Sequence, residues 1–436
     1  MDLALVPTTV DAPAAASRRP FIFYLVWAFV VSIPVENQLL IPGIGLVGKL
    51  FGIVVATVWL LHVLATGRVR KLERFHVAML ALVVWSFASL LWSSDQSATI
   101  QYVVTMAQLF ILALVVWDVA TTFDRVSALL QAFVLGAMIG VLQVLSVFVR
   151  SGVAGFFRSR ATVAGFNPND VALIFALAVP MALFLATSRK TSMPVRVLNF
   201  AYVAGACLAI PLTGSRSGVG AGLALLLVGA VRAVSVRSVK ALGGALVAVG
   251  LIIGVSHSLP SFTLARLQQG IPLVESGNFS ARGAIWGEAL RVGWEHPIGG
   301  VGAGAFALVD PLYRSCDGSG YSLLQGTTQS SCTGAAAHDV FLSEFAELGF
   351  VGLLLFGWVA WIVLKAIPGQ PNGRSWLWAG CMSVWLVAVL LNPWELNKSA
   401  WLLFALIVAS GSLARSLGRR ESLEGDRAAK HVAVWS

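Results

Sequence analysis

Three residues far apart in the chain combine types and settings suited to phosphate chemistry and proton transfer: Arg216, Arg282 and His338. Arg216 stands in LTGSRSGVGAG, between two apolar runs with almost no loop, flanked by Gly214 and Gly218 and by Ser215 and Ser217 as candidate caps. At a helix N-terminus, backbone N–H groups and the helix dipole favour an anion, and a guanidinium adds bidentate donors that fit phosphate. A snorkelling arginine at a helix end is the plainer alternative. Arg282 lies in GNFSARGAIWGEAL, which reads as a helix from near Ser280 presenting Ile285, Trp286 and Leu290 to a core or a membrane surface, with the arginine on a solvated face or in a site. Arg160, in RSRATVAGFNPND, is a further candidate substrate contact, while Asn167 and Asn169 around Pro168 read as a turn and cap. His338 opens HDVFLSEFAELGFVGLLLF, where Asp339 can begin a helix with Phe341, Leu342 and Phe345 on one face. Its imidazole is either structural or a base.

Metal and nucleotide chemistry find little support. His338 is followed by Asp339 and Val340 rather than completing an HExxH, and no Asp-x-Asp falls in the loops on that side of the membrane. The run Gly299, Gly300, Gly302, Gly304 lacks a following Lys-Ser/Thr and reads as a tight turn or close packing. GSRSG has Arg216 where a nucleophile elbow needs serine. No metal or cofactor is expected.

The elements that must position these residues are membrane helices. A chain of 436 residues that is 58% hydrophobic and 11% charged is far from a soluble protein, whose charged fraction is about 25%. Apolar runs predict an all-α polytopic protein with about twelve spans, near 20–36, 43–66, 76–93, 100–118, 126–149, 168–187, 197–213, 217–233, 240–257, 339–364, 375–391 and 399–415. The whole of 1–436 is then one transmembrane domain, with a large loop at 257–338 between spans nine and ten and a tail at 419–436 expected to lack structure. Gly218, Gly220 and Gly222 suit close helix packing, and Trp85, Trp92, Trp117, Trp376 and Trp401 suit interface anchors.

Orientation follows from the cations. The net charge of +10 is dispersed over loops, which points to the positive-inside rule rather than to nucleic acid. With both termini cytoplasmic, Arg68, Arg70, Lys71, Arg74, Arg125, Arg189, Lys190, Arg196, Lys365, Arg374 and Arg415 fall inside. APAAAS precedes the first apolar run, where no signal-peptidase site is expected, so Arg18 and Arg19 read as the flank of an uncleaved helix. The large loop is then periplasmic in a Gram-negative cell. Outside arginines, namely Arg150, Arg158, Arg160, Arg216, Arg266, Arg282, Arg291 and Arg314, defy the rule and need another reason to be there. Cys316 and Cys332, both in that loop, are candidates for a disulfide contributing about 3 kcal/mol.

The order of these features, TGSRSG, Arg282, HPIGGVGAGAF and then His338 at the end of a large loop late in a chain of about twelve spans, resembles the O-antigen ligase family. Its superfamily also contains O-antigen polymerases and protein O-oligosaccharyltransferases, and the likeness runs from about Arg150 to Asn397. The resemblance implies an inner-membrane enzyme that moves O-antigen polysaccharide from undecaprenyl pyrophosphate to a sugar hydroxyl of lipid A-core, on the periplasmic side and without a metal. It also implies that Arg216 and Arg282 bind the pyrophosphate and that His338 accepts the hydroxyl's proton. Fixed arginines are suited to a leaving group that develops negative charge. A polymerase or a protein glycosyltransferase of the same superfamily is the nearest alternative. A lipid-linked sugar transporter is more distant, since it predicts charged residues or broken helices at mid-membrane.

Overall fold

The computed structural model describes residues 21–38, 40–41, 45–156, 162–163, 167–235, 281–309, 315–321, 328–333 and 337–434. Among the described residues the chain is helical apart from two short hairpins. Its helices are α1 (Phe21–Ser32), α2 (Val47–Thr66), α3 (Arg74–Ala88), α4 (Gln96–Val119), α5 (Phe123–Phe156), α6 (Pro168–Thr187), α7 (Met193–Leu212) and α8 (Arg216–Ser235). After the large loop begins come α9 (Ala281–Glu295), α10 (Phe306–Val309), α11 (Val340–Lys365), α12 (Arg374–Leu391) and α13 (Lys398–Val434). Among the described residues ten helices are long and apolar enough to cross a membrane, and α1 is a shorter apolar helix. This is a multi-pass membrane protein. Each expected span within the described residues coincides with a helix; the span at 240–257 lies outside them.

Successive helices alternate direction, so the starts of α4, α6, α8, α11 and α13 gather at one end, and their sequence explains why they start there. Asp95 accepts the Ala98 N–H at 2.9 Å, Asn167 the Asn169 N–H at 2.9 Å, Ser215 Oγ the Gly218 N–H at 3.1 Å, Asp339 the Leu342 N–H at 2.9 Å and Asn397 the Ser399 N–H at 2.9 Å. Each cap contributes about 1 kcal/mol and fixes where its helix begins. This is termed the loop end. At the opposite, basic end Arg70 Nη1 donates to the carbonyls of Trp117 (3.0 Å) and Ala120 (3.1 Å), which close α4, while its guanidinium lies 3.7 Å from the centre of the Trp117 ring. Arg415 pairs with Glu73 and Lys190 with Asp124 at that end.

α6 and α13 run through the interior, α6 packing on α5, α7, α8 and α12, and α13 on α4. Small residues permit the close approaches: a Cβ on Gly218 would sit 2.5 Å from Ala172 Cβ of α6, whereas one on Gly222 would meet nothing within 4 Å. Two of the five tryptophans expected as interface anchors are internal, while Trp92 is 39% exposed. Trp117 and Trp401 are buried, and Trp85, Trp92 and Trp401 spend their indole N–H groups on the carbonyls of Leu348, Gly299 and Glu395. The tail also departs from expectation. α13 continues to Val434, through a segment rich in Ala, Glu, Leu and Arg, all good helix formers.

Candidate active site

The Gly-rich run and the start of α11 form one construction. α11 is broken at Gly349, whose φ of 66° and ψ of −165° interrupt the helix. The break frees carbonyls of the preceding turn, and they accept from the Gly-rich run: Val301 N–H donates to Ala346 (3.0 Å) and Gly302 N–H to Glu347 (2.9 Å), while Phe350 N–H returns to Pro297 (2.8 Å). Trp85 Nε1 takes the carbonyl of Leu348 at 3.0 Å. Backbone lies directly on backbone here. A Cβ at Gly300 would come 2.2 Å from the carbonyl carbon of Glu347, and one at Gly349 would come 2.3 Å from the carbonyl oxygen of Ile298. Irregular backbone near a membrane is tolerated where protein re-satisfies it in this way. The expectation of close packing at the glycines holds.

α9 sits on the same construction. Ile285, Ala289 and Val292, spaced at i, i+4 and i+7, are buried with Val301, Phe306, Ala337 and Ala346, whereas Leu290 is 42% exposed and takes no part. Trp286 Nε1 donates to the carbonyl of Ala337 at 2.8 Å, which fastens α9 to the residue just before His338. Arg282 is the second residue of α9, four positions before Trp286. Arg291, counted among the anomalous outside arginines, is explained within its own helix, where it pairs with Glu288 and Glu295.

His338 is half-buried and adopts a φ of 54°, the left-handed region that histidine enters more readily than most residues. It turns the loop into α11, whose first N–H groups Asp339 then caps, so the Asp339 carboxylate is spent on the helix start. Arg216 is exposed as the first residue of α8, after a left-handed turn at Gly214 (φ 61°) and the Ser215 cap. It forms no ion pair among the described residues. Arg216 and His338 thus share the loop end, linked through intermediate elements: the start of α8 packs on α6 at Ala172, and Asp170 of α6 accepts the Trp394 Nε1 hydrogen bond (2.9 Å) from the α12–α13 connection. The adjoining Glu395 is electrostatically coupled to both Asp170 and Asp339. Arg160 lies outside the described residues.

Sequence reasoning missed a set of acids behind His338. Glu344 is 2% exposed and its Oε1 accepts the Tyr102 hydroxyl at 3.0 Å. Glu347 Oε2 accepts the Gly304 N–H at 2.7 Å, holding the Gly-rich run. Burial pushes the Glu395 carboxyl up to about 7, and the Asp170 and Asp339 carboxylates add to the rise; burial also raises Asp339. The spans are therefore less free of charge than hydropathy suggests, although these groups do cluster near the loop end. The available signal was SEFAELG, with glutamates at i and i+3 inside an apolar run.

Residues 200–357 match the family model described as O-antigen ligase. Through this segment the chain is similar to the O-antigen ligase family. The match contains Arg216, Arg282, the Gly-rich run, His338 and the Gly349 break, and it covers the part of the chain in which α9 and α11 are assembled. No curated protein matches the chain. An O-antigen ligase family member is expected to handle lipid-linked polysaccharide and lipid substrates within a membrane, which agrees with a helical bundle whose polar groups lie at one end.

Proposed function

We propose that this protein is an inverting, metal-independent glycosyltransferase of the bacterial inner membrane, transferring O-antigen polysaccharide from undecaprenyl pyrophosphate to a sugar hydroxyl of lipid A-core. The supporting observation is that the family-matched segment holds Arg216, Arg282 and His338, and that Trp286 ties the helix of Arg282 to the residue preceding His338. In this reading the loop end is periplasmic and both termini are cytoplasmic, in keeping with the cations paired at the basic end. Arg216 and Arg282 hold the pyrophosphate and stabilise the negative charge that develops as the glycosidic oxygen leaves. His338 removes the proton from the attacking hydroxyl, a contribution of roughly 10²- to 10⁴-fold. Attack opposite the leaving pyrophosphate inverts the anomeric carbon.

Arg216 supports the anion role by its position. The positive pole of α8 disfavours a guanidinium there unless an anion joins them. Incubating purified protein with lipid-linked glycan and either lipid A-core or an acceptor protein tests the assignment. Glycan on lipid A-core is the expected result; glycan on protein alone, or chain growth alone, overturns it in favour of a protein glycosyltransferase or a polymerase.

We also propose a Cys316–Cys332 disulfide. β3 (Ser315–Tyr321) and β4 (Thr328–Thr333) form an antiparallel hairpin in which Cys316 is directly opposite Cys332. Opposed residues in such a pair have Cα atoms about 4.5–5.5 Å apart, within disulfide range. A non-reducing mass measurement should find the pair oxidised, and free thiols at both positions would dispose of the bond.

A further inference from the structure

A trough on the membrane-facing side of α1, α2 and α4 is lined by none of the residues discussed above as active-site candidates. It encloses about 270 Å³, and its walls include Val26 and Phe29 of α1, Ile53 of α2, and Leu109 and Leu112 of α4. Ile53 (55%) and Ile111 (38%) are exposed along it, so it opens sideways, toward lipid. Glycines keep the α1–α2 wall close: a Cβ on Gly48 would come 2.8 Å from Glu36 Cβ, and one on Gly52 would come 3.4 Å from the Phe29 ring.

Three polar groups line this trough, and two of them lack a simple structural reason. Lys49 and Lys398 line it at the loop end, the side where the positive-inside rule disfavours cations. Lys398 is answered by Glu36 at 2.5 Å, but Lys49 is exposed and forms no ion pair among the described residues. Two lysines and one carboxylate leave one net positive charge at the mouth. Gln108, halfway along α4, is exposed into the trough and has no hydrogen bond among the described residues, although its neighbour Thr105 satisfies its own hydroxyl on Gln101. A glutamine facing hydrocarbon without a partner is costly.

We propose that the trough is a binding site for an anionic glycerophospholipid. One phosphodiester matches the net charge at Lys49 and Lys398, an ester or phosphate oxygen can accept from Gln108, and an acyl chain follows the apolar walls. The site is independent of the proposed transfer reaction.

Native mass spectrometry of the full-length protein in detergent, titrated with phosphatidylglycerol or with phosphatidylethanolamine of the same acyl chains, tests this. Wild-type protein should retain phosphatidylglycerol roughly tenfold better, about the value of one charge-assisted hydrogen bond. Lys49→Glu should abolish that preference, and the milder pair Lys49→Gln with Gln108→Leu should reduce it should the charge reversal impair folding. Lys190→Glu, at the basic end, should leave it intact. Equal retention of the two lipids by wild type, or a preference unchanged in the Lys49 variants, would each overturn the assignment.

Discussion

The two ends of the bundle use the same residue types in different ways. At the basic end, cations sit where electrostatics wants them: Arg70 closes the C-terminus of α4, its charge meeting the negative pole and its face meeting Trp117. Arg415 has Glu73, and Arg374 lies 4.1 Å from the centre of the Phe123 ring. At the loop end Arg216 also opens a helix at its positive pole, but it is exposed, and the acids Glu344, Glu347 and Glu395 gather near that end, Glu344 buried. The basic end meets Arg70, Arg415 and Arg374 with carbonyls, a carboxylate and an aromatic face, whereas Arg216 at the loop end has no ion pair among the described residues, which fits the proposed binding of a substrate anion there.

The contrast can be broken at the residue closest to the proposed chemistry. His338→Ala should reduce transfer by at least about 100-fold with the protein still inserted and monodisperse, measured as glycan on lipid A-core; near-normal turnover removes His338 from the mechanism. Next comes a matched pair across the membrane. Arg216→Lys should lower turnover about tenfold or more, because a point charge does not reproduce the bidentate fork, while Arg415→Lys should leave it unchanged. Equal effects of the two would erase the distinction between the ends.

Backbone geometry supplies the third test. Gly349→Ala places a side chain at φ 66° and 2.3 Å from the Ile298 carbonyl oxygen, so it should cost about 3 kcal/mol, read as a lower Tm in detergent. Gly222→Ala, with nothing within 4 Å, should be neutral or slightly stabilising. The smallest effect concerns pH. Glu395 has a carboxyl raised by burial to about 7, from an ordinary value of 4.5, so the folded state holds its proton where the unfolded chain has lost it. Its contribution is full below about 4.5, declines as pH rises and is lost above about 7. Tm should therefore fall between pH 5 and 8 in wild type and fall less in Glu395→Gln; parallel curves would show that Glu395 is not the titrating group.

Much of this was legible in the chain itself. Apolar runs of membrane length have one economical solution, helices, since backbone polar groups cannot go unpaired in lipid. Cap residues such as Asn167, Ser215 and Asp339 marked where those helices start, because capping is a local hydrogen bond between near neighbours. The acids were less legible. Glu344 is distinguished by Tyr102, 242 positions away, and no local pattern encodes that partnership. Trp117 was misread for the same reason, as its burial depends on contacts with Arg70 and His76 that no local pattern encodes.

Sequence by itself determined the class of protein, the positions of the spans within the described residues and the candidates Arg216, Arg282 and His338, since all of these follow from composition, short-range pattern or motif order. Only the tertiary structure decided that the Gly-rich run lies against a broken α11, that Trp286 joins α9 to the residue before His338, and that Cys316 faces Cys332. The physical reason is distance along the chain. Contacts between backbone segments some 50 residues apart depend on how closely two main chains can approach, and glycines such as Gly300 and Gly349 permit that approach without naming their partner.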